Sequence, residues 1–155
     1  MKIQLLSDLH NEFLRNGVTV RGHLWPGSIS PLDAELIILA GDIDTGTQGI
    51  EWAIGESARL ARDVIYVPGN HEYYDHEYEA LQAELARLCQ GTRVYCLNPG
   101  VFIAQGVRII GTTLWTDYQA ANPLPQDQVM GTIDRSLTDH RKIRVRDAGD
   151  GDRRF

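Results

Sequence analysis

Three short apolar runs lie in the first half of the chain, at residues 3–6, 36–39 and 64–67. Runs of this length are typical of strands that are buried on both faces, as in a parallel sheet. Apolar side chains at helical spacing predict helices over residues 50–62 and 77–89. The alternation of strands with helices favours an α/β fold with a mostly parallel sheet.

The second half of the chain predicts a different arrangement. Shorter apolar segments at residues 93–97, 101–104 and 107–112 predict three more strands, the last two paired through a Gln105-Gly106 turn. These strands suggest the start of a second sheet. After Trp115 the pattern weakens, and residues 126–144 are predicted to be helical only in part.

Two segments are predicted to lack regular structure. Residues 11–33 contain three glycines and two prolines and predict a long irregular loop. Residues 146–155 are charged and rich in glycine, and they predict a mobile tail after a single domain that spans residues 1–145.

Composition narrows the class of protein. A chain of 155 residues with a net charge of −6 and a pI near 5.3 is not expected to bind nucleic acid or anionic membranes in general. No apolar stretch approaches the roughly 20 residues of a membrane span, and the first residues are not expected to form a signal peptide. Cys89 and Cys96 are expected to be reduced, and the expected location is the cytoplasm.

Polar residues follow each of the first three predicted strands. Asp8 and His10 follow the first, Asp42 the second, and Asn70 and His71 the third. The carboxyl ends of strands in an open α/β sheet are where ligands bind. Oxygen and imidazole ligands that converge there suit divalent transition metals. We therefore predict a metal-dependent phosphoesterase site, in which a histidine with a pKa of about 6.5 can protonate a leaving group.

Each motif also has a simpler interpretation when it is taken alone. Asp8 could cap a turn beside a solvated His10, and Asp42 could end its strand in an Asx-turn. Asp44 could likewise do no more than form such a turn. Pro68-Gly69-Asn70 is prone to turns by composition. Glu72 could orient the loop or the imidazole of His71. The order and shared position of the motifs favour the functional interpretation.

The three motifs together resemble the calcineurin-like metallophosphoesterase family. The matching segments are Ser7-Asp8-Leu9-His10, Gly41-Asp42 and Gly69-Asn70-His71-Glu72, and the similarity extends to Leu114-Trp115-Thr116-Asp117 and to residues 139–144. The resemblance implies a four-layer α/β/β/α sandwich and a small phosphomonoester or phosphodiester substrate. It also implies two divalent metal ions (manganese, iron or zinc). Asp8 and His10 would bind the first ion, Asp42 would bridge, Asn70 would help to hold the second, and His71 would act on the leaving group.

One part of the family pattern is missing. Members of the family complete the metal centre with a later strand-end histidine and a Gly-His-x-His motif, whereas His140 lies in neither context. His23 and His76 are predicted to be solvated loop residues. The fold is therefore expected to be incomplete in its C-terminal half. The chain could be a weak or inactive hydrolase, a non-catalytic binding or scaffold protein, or a fragment, and another copy in a homo-oligomer could supply histidines.

Overall fold

The computed structural model describes residues 1–18, 26–119, 123–134, 136–147 and 151–154. Its main sheet has four parallel strands that are adjacent in chain order: β1 (Ile3–Leu6), β2 (Leu36–Ala40), β3 (Asp63–Val67) and β4 (Val94–Cys96). The predicted parallel sheet is confirmed, but the prediction that all three runs are buried is wrong for β1, an edge strand in which Leu5 is 67% exposed. Because all four strands run in the same direction, their carboxyl ends lie at one edge, which is where the polar motifs begin.

Two amphipathic helices cover one face of this sheet. In α2 (Gln48–Leu60) the side chain of Ile50 is fully buried, and in α3 (Tyr78–Leu88) that of Leu85 is too. Both belong to one core cluster with Leu39 of β2. Burial of each such side chain contributes roughly 1.5–3 kcal/mol to stability. The main core therefore lies between the helices and the sheet and supports the loops at the sheet edge.

A two-stranded antiparallel sheet lies against the other face. It consists of β5 (Gly100–Ala104) and β6 (Val107–Gly111). Phe102 and Ile109 are opposite each other in register and pack on a cluster that contains Ile65 of β3. The hairpin leaves apolar side chains in solvent on its outer face, since Val101 is 55% exposed, Ile103 65% and Ile110 71%. Helices, parallel sheet and antiparallel sheet are thus three layers of the sandwich.

The predicted irregular loop over residues 11–33 is wrong at its start. This segment begins with a short helix, α1 (Asn11–Arg15). The Asn11 N–H donates to the Ile43 carbonyl at 2.9 Å, and Arg15 forms an ion pair with the buried Asp44. Both partners come from the loop after β2. Tertiary contacts stabilise a helix that is too short to be stable alone, and this explains why periodicity did not reveal it.

The last part of the described chain contains two further helices and two strands. The predicted partial helix is confirmed as α4 (Gln126–Ile133) and α5 (Asp139–Lys142). An antiparallel pair, β7 (Arg144–Asp147) and β8 (Gly151–Arg154), lies where local composition predicts only a tail. The Arg144 N–H donates to the His76 carbonyl at 3.0 Å, so β7 is anchored by a residue distant in sequence. The domain boundary at residue 145 stays a prediction.

Two further observations concern membrane-spanning helices and the two cysteines. Within the described ranges, none of the helices has both the length and the apolar character required to cross a lipid bilayer. Cys89 and Cys96 are free thiols, and burial raises the pKa of Cys96 to about 12. Both thiols therefore stay protonated at neutral pH and act as small packing residues.

Candidate metal centre

The loops that follow β1 and β2 lie side by side. The Asp8 N–H donates to the Gly41 carbonyl at 3.0 Å, and the His10 N–H donates to the Asp42 carbonyl at 3.0 Å. Asp8, His10 and Asp42 have left-handed backbones, with φ of 53°, 49° and 55°. Such conformations are costly for residues other than glycine and cluster at functional sites. The hydrogen bonds between the loops hold these three residues in place.

The loop that follows β3 approaches Asp42 closely. A Cβ atom at Gly69 would overlap the carboxylate of Asp42 and lie 2.6 Å from its backbone nitrogen. Glycine is therefore required at this position. Two residues later, the His71 N–H donates to Asp42 Oδ1 at 3.1 Å. Asp42 thus lies between the other two loops, with Oδ2 left for another partner.

The side chain of Glu72 connects the loop after β2 with the loop after β3. Its carboxylate accepts hydrogen bonds from the backbone N–H groups of Ile43 at 2.8 Å, Gly69 at 2.8 Å and Asp42 at 3.2 Å. The Tyr66 hydroxyl donates a fourth at 2.8 Å. Burial raises the pKa of Glu72, and the hydrogen bonds from Ile43, Tyr66 and Gly69 oppose that rise. Glu72 therefore orients the loop, one of the two roles that the sequence left open.

The predicted ligands Asp8, His10 and Asp42 are brought together. Each offers one ligand atom, and these atoms lie within 4.8 Å of one another. Asp8 is exposed, whereas His10 and Asp42 are half-buried. Two carboxylates and an imidazole at a partly open site fit a divalent transition metal, with room for water or substrate.

Asn70 has a fixed side-chain orientation. Its amide nitrogen donates to Asp139 Oδ1 at 2.8 Å and to the Tyr74 hydroxyl at 3.0 Å. The Tyr74 hydroxyl also donates to Asp139 at 2.9 Å, and burial raises the pKa of Tyr74. Because both amide hydrogens are engaged, the carbonyl oxygen Oδ1 is the atom that Asn70 keeps for a ligand. A neutral oxygen donor beside Asp42 suits the predicted second ion.

Sequence reasoning missed Glu12. Its Oε1 atom lies 3.0 Å from His10 Nδ1 and 3.2 Å from His71 Nδ1. His10, Glu12 and His71 form a second group whose ligand atoms lie within 4.8 Å of one another. In the sequence, Glu12 stands two residues after His10. This spacing did not identify it as a site residue because residues 11–33 were predicted to form an irregular loop.

Asp44 does more than end a turn. It accepts a hydrogen bond from the N–H of the adjacent Thr45 at 2.6 Å, and its side chain is only 1% exposed and binds the Arg15 guanidinium. One of these contacts, from Nη2 to Oδ1, is 2.7 Å long. The hydrogen bond to Asp44 raises the pKa of Arg15, so the guanidinium stays charged. Asp44 thereby fixes α1, and with it Glu12, beside the site.

The remaining histidines do not contribute to the site in the described part of the chain. His76 is exposed, as predicted. His140 is buried, with Nε2 2.6 Å from the Tyr118 hydroxyl and Nδ1 3.1 Å from Asp134 Oδ1. His23 lies outside the described residues. The ligands of the candidate centre therefore come from the first three loops.

A groove of about 900 Å³ begins at these ligands. Its polar end is formed by Asp8, Asp42 and Asn70, and it continues along Ile109 and Trp115. Among the described residues that line it there is no lysine or arginine. An anionic group would therefore have to be bound at the metal end, while the other end can accept an uncharged organic group.

Comparison with known proteins identifies relatives over nearly the whole chain. A family described as "Calcineurin-like phosphoesterase" matches residues 1–152. The uncharacterized protein L509 of Acanthamoeba polyphaga mimivirus is 25% identical over an alignment of 151 residues, and the match covers 92% of this chain and 51% of L509. The [acyl-carrier-protein] phosphodiesterase PptH of Mycobacterium tuberculosis is 35% identical over 77 residues, which are 50% of this chain and 22% of PptH.

A solved structure has the same fold. The crystal structure of the phosphopantetheinyl hydrolase PptH from Mycobacterium tuberculosis matches with a TM-score of 0.61 at 22% identity. The match covers 92% of this chain and 54% of that chain. The chain thus spans about half the length, or less, of the relatives that it matches.

Proposed function

Because the chain belongs to the calcineurin-like phosphoesterase family, we propose that it is a metal-dependent hydrolase of a phosphomonoester or phosphodiester bond. The observation that carries this proposal is the convergence of Asp8, His10 and Asp42, whose ligand atoms lie within 4.8 Å of one another. These residues come from two separate strand ends. They share no structural task that would by itself require two carboxylates and an imidazole at one exposed edge.

Each side chain has a distinct role in this proposal. Asp8, His10 and Asp42 would hold one divalent cation (manganese, iron or zinc), and Asn70 together with Asp42 would help to hold another. A bound divalent cation polarises phosphoryl oxygens and lowers the pKa of bound water towards about 7. His71 donates a proton to the leaving oxygen.

The groove supports a small phosphorylated substrate. A single phosphoryl group would lie at Asp8, Asp42 and Asn70, and an uncharged substituent along Ile109 and Trp115. Without a lysine or arginine among the described lining residues, the groove is less suited to polyphosphates. The name of PptH as an [acyl-carrier-protein] phosphodiesterase supports a phosphodiester substrate as one candidate.

Metal binding tests the first step of the proposal. A ligand that binds only the folded state stabilises it by about 2.7 kcal/mol at a 100-fold excess over its dissociation constant. Manganese should therefore raise the melting temperature of the wild type, and Asp42→Ala should abolish that rise. Asp33→Ala is the control, because Asp33 is 89% exposed and distant from the site in the fold. An equal rise in Asp42→Ala would refute the metal site.

Turnover tests the role of His71. With an aryl phosphodiester whose leaving group is poor and with manganese, His71→Ala should lower the rate, with metal content unchanged. The loss should reach roughly 10²–10⁴-fold for leaving groups that require a proton and shrink for those that do not. His76→Ala, at an exposed histidine, should have no effect. Loss of metal from His71→Ala would show that His71 is a ligand instead of an acid.

A non-catalytic binding or scaffold role is the second candidate. It is favoured by the absence of a further histidine ligand at the site in the described part of the chain, where His140 is held by Tyr118 and Asp134. This role predicts no turnover with any aryl phosphate in the presence of manganese, iron or zinc. It also predicts that Asp42→Ala leaves partner binding intact.

A further inference from the structure

We propose that Glu12 is a positioning residue that fixes the ring orientation and the tautomer of both His10 and His71. This inference rests on the proposed function and extends it to a residue outside the predicted ligand set. One carboxylate oxygen, Oε1, lies 3.0 Å from Nδ1 of His10 and 3.2 Å from Nδ1 of His71. The same atom thus connects the predicted metal ligand with the predicted proton donor.

The chemistry of these contacts determines which ring nitrogens are free. An ionised carboxylate accepts hydrogen bonds and cannot donate them. Both Nδ1 atoms must therefore carry hydrogen, and in a neutral ring Nε2 then keeps its lone pair. For His10 the free Nε2 is the atom that can bind a cation. For His71 the same hydrogen bond leaves Nε2 as the atom that can carry a proton to a leaving group.

Packing holds the two rings in the same arrangement. The ring of Phe13 stacks on His10 at a centroid distance of 5.2 Å, and Tyr74 lies 4.4 Å from His71. The two imidazole rings are 4.5 Å apart and nearly perpendicular, at 70°. Neither ring can turn without losing both a ring contact and its hydrogen bond to Glu12.

Glu12 itself is well placed to act as a fixed support. Its side chain is 12% exposed, and it lies on α1, which the Arg15–Asp44 pair anchors to the loop after β2. Its other oxygen, Oε2, is buried and has no hydrogen-bond partner among the described residues. A buried carboxylate is costly unless it is compensated, and the two imidazole N–H groups supply that compensation through Oε1.

The tautomers can be measured directly in the metal-free protein. Long-range proton–nitrogen NMR of histidine-labelled protein distinguishes Nδ1–H from Nε2–H rings, and His10→Gln and His71→Gln spectra assign the signals. We expect Nδ1–H for both rings in the wild type. Glu12→Ala should convert them to Nε2–H or to a mixture. Glu12→Gln should largely keep Nδ1–H, because an amide oxygen still accepts a hydrogen bond.

The matched control is Glu51, which occupies the first turn of α2 as Glu12 does that of α1 but is exposed. Glu51→Ala should leave both tautomers unchanged. Nε2–H rings in the wild type, or Nδ1–H rings that persist in a folded Glu12→Ala protein, would overturn the proposal. Should Glu12→Ala fail to fold, the wild-type and Glu12→Gln spectra still decide, because both must show Nδ1–H.

Manganese affinity gives a second readout that does not depend on turnover. Loss of a residue that orients a metal-binding histidine typically costs 10–100-fold in metal affinity. Calorimetry should therefore show a loss of about 10–100-fold for Glu12→Ala and none for Glu51→Ala. Complete loss, equal to that of Asp42→Ala, would overturn the proposal and identify Glu12 as a direct ligand. A wild type without phosphoesterase activity would refute the proposed function alone, since both readouts still test Glu12.

Discussion

At the scale of single residues, the carboxylate of Glu72 has the most partners within the site. It accepts hydrogen bonds from the backbone N–H groups of Asp42, Ile43 and Gly69 and from the Tyr66 hydroxyl. Burial and the neighbouring Glu72 raise the pKa of Tyr66 well above its usual value, so this hydroxyl always has a proton to donate. One fully buried side chain thus fixes the relative position of two ligand-bearing loops.

Removal of this carboxylate should be among the most damaging single changes. Glu72→Ala leaves buried donors without an acceptor, each at a cost of about 1–3 kcal/mol. We expect the free energy of unfolding, measured by urea titration, to fall. This decrease should be several times the decrease that an ordinary surface substitution causes. Glu79→Ala, at an exposed position on α3, should change it by less than about 0.5 kcal/mol. Equal unfolding midpoints for the two variants would contradict this account of Glu72.

At the scale of elements, a glutamate–arginine pair joins α2 to the segment before β2. Glu56 accepts hydrogen bonds from the Ile29 N–H at 2.6 Å and from Arg59 Nε at 2.8 Å, and Arg59 donates to the Ile29 carbonyl at 2.7 Å. The hydrogen bond from Arg59 lowers the pKa of Glu56 despite its burial. Glu84 and Arg87 form a pair of the same spacing on α3, but in solvent.

The two pairs should respond differently to substitution and to pH. A lowered pKa contributes stability that is present above the unfolded pKa of about 4.3 and is lost as pH falls through the folded pKa. Glu56→Gln should therefore lower the free energy of unfolding by about 1–2 kcal/mol at pH 7, and the difference should shrink below about pH 4. Glu84→Gln should have little effect at any pH, because solvent screens this pair. Equal losses of unfolding free energy in Glu56→Gln and Glu84→Gln would show that burial of Glu56 does not increase the contribution of its pair to stability.

At the scale of the whole molecule, the number of predicted protein ligands limits how tightly the candidate centre can bind two ions. Asp8, His10, Asp42 and Asn70 provide about five contacts to two ions if Asp42 bridges, so water must fill most other positions. A displacement of 1 Å at a reacting group can cost about a hundredfold in rate. We therefore expect one cation to bind tightly, a second to bind weakly, and turnover of aryl phosphates to be slow.

Metal stoichiometry tests this expectation. Elemental analysis after gel filtration should give about one tightly bound manganese per chain. Fusion of a segment with a strand-end histidine and a Gly-His-x-His motif should raise the stoichiometry to about two and the rate by orders of magnitude. The same segment with both motif histidines changed to alanine is the control. Two tight ions with rapid, His71-dependent turnover in the unfused chain would contradict the ligand count.

The sequence by itself determined the elements whose signal is local. The apolar runs that became β1, β2 and β3 and the helical spacing of α2 and α3 each lie within a few turns of chain. The first three motifs could be placed for the same reason, because a residue that directly follows a strand of a parallel sheet must lie at the edge formed by the carboxyl ends of the strands.

Only the tertiary structure decided how the ligands are supported. Asp139 reaches Asn70 across 69 residues of sequence, Glu12 reaches His71 across 59, and Glu72 reaches Ile43 across 29. Helix α1 and strand β7 likewise depend on partners far along the chain. The periodicity of apolar residues indicates which face of a helix or strand is buried. It does not indicate which distant polar group contacts that helix or strand. The predicted ligands and Glu72 were therefore visible in the sequence, whereas the contacts with distant residues that hold them were not.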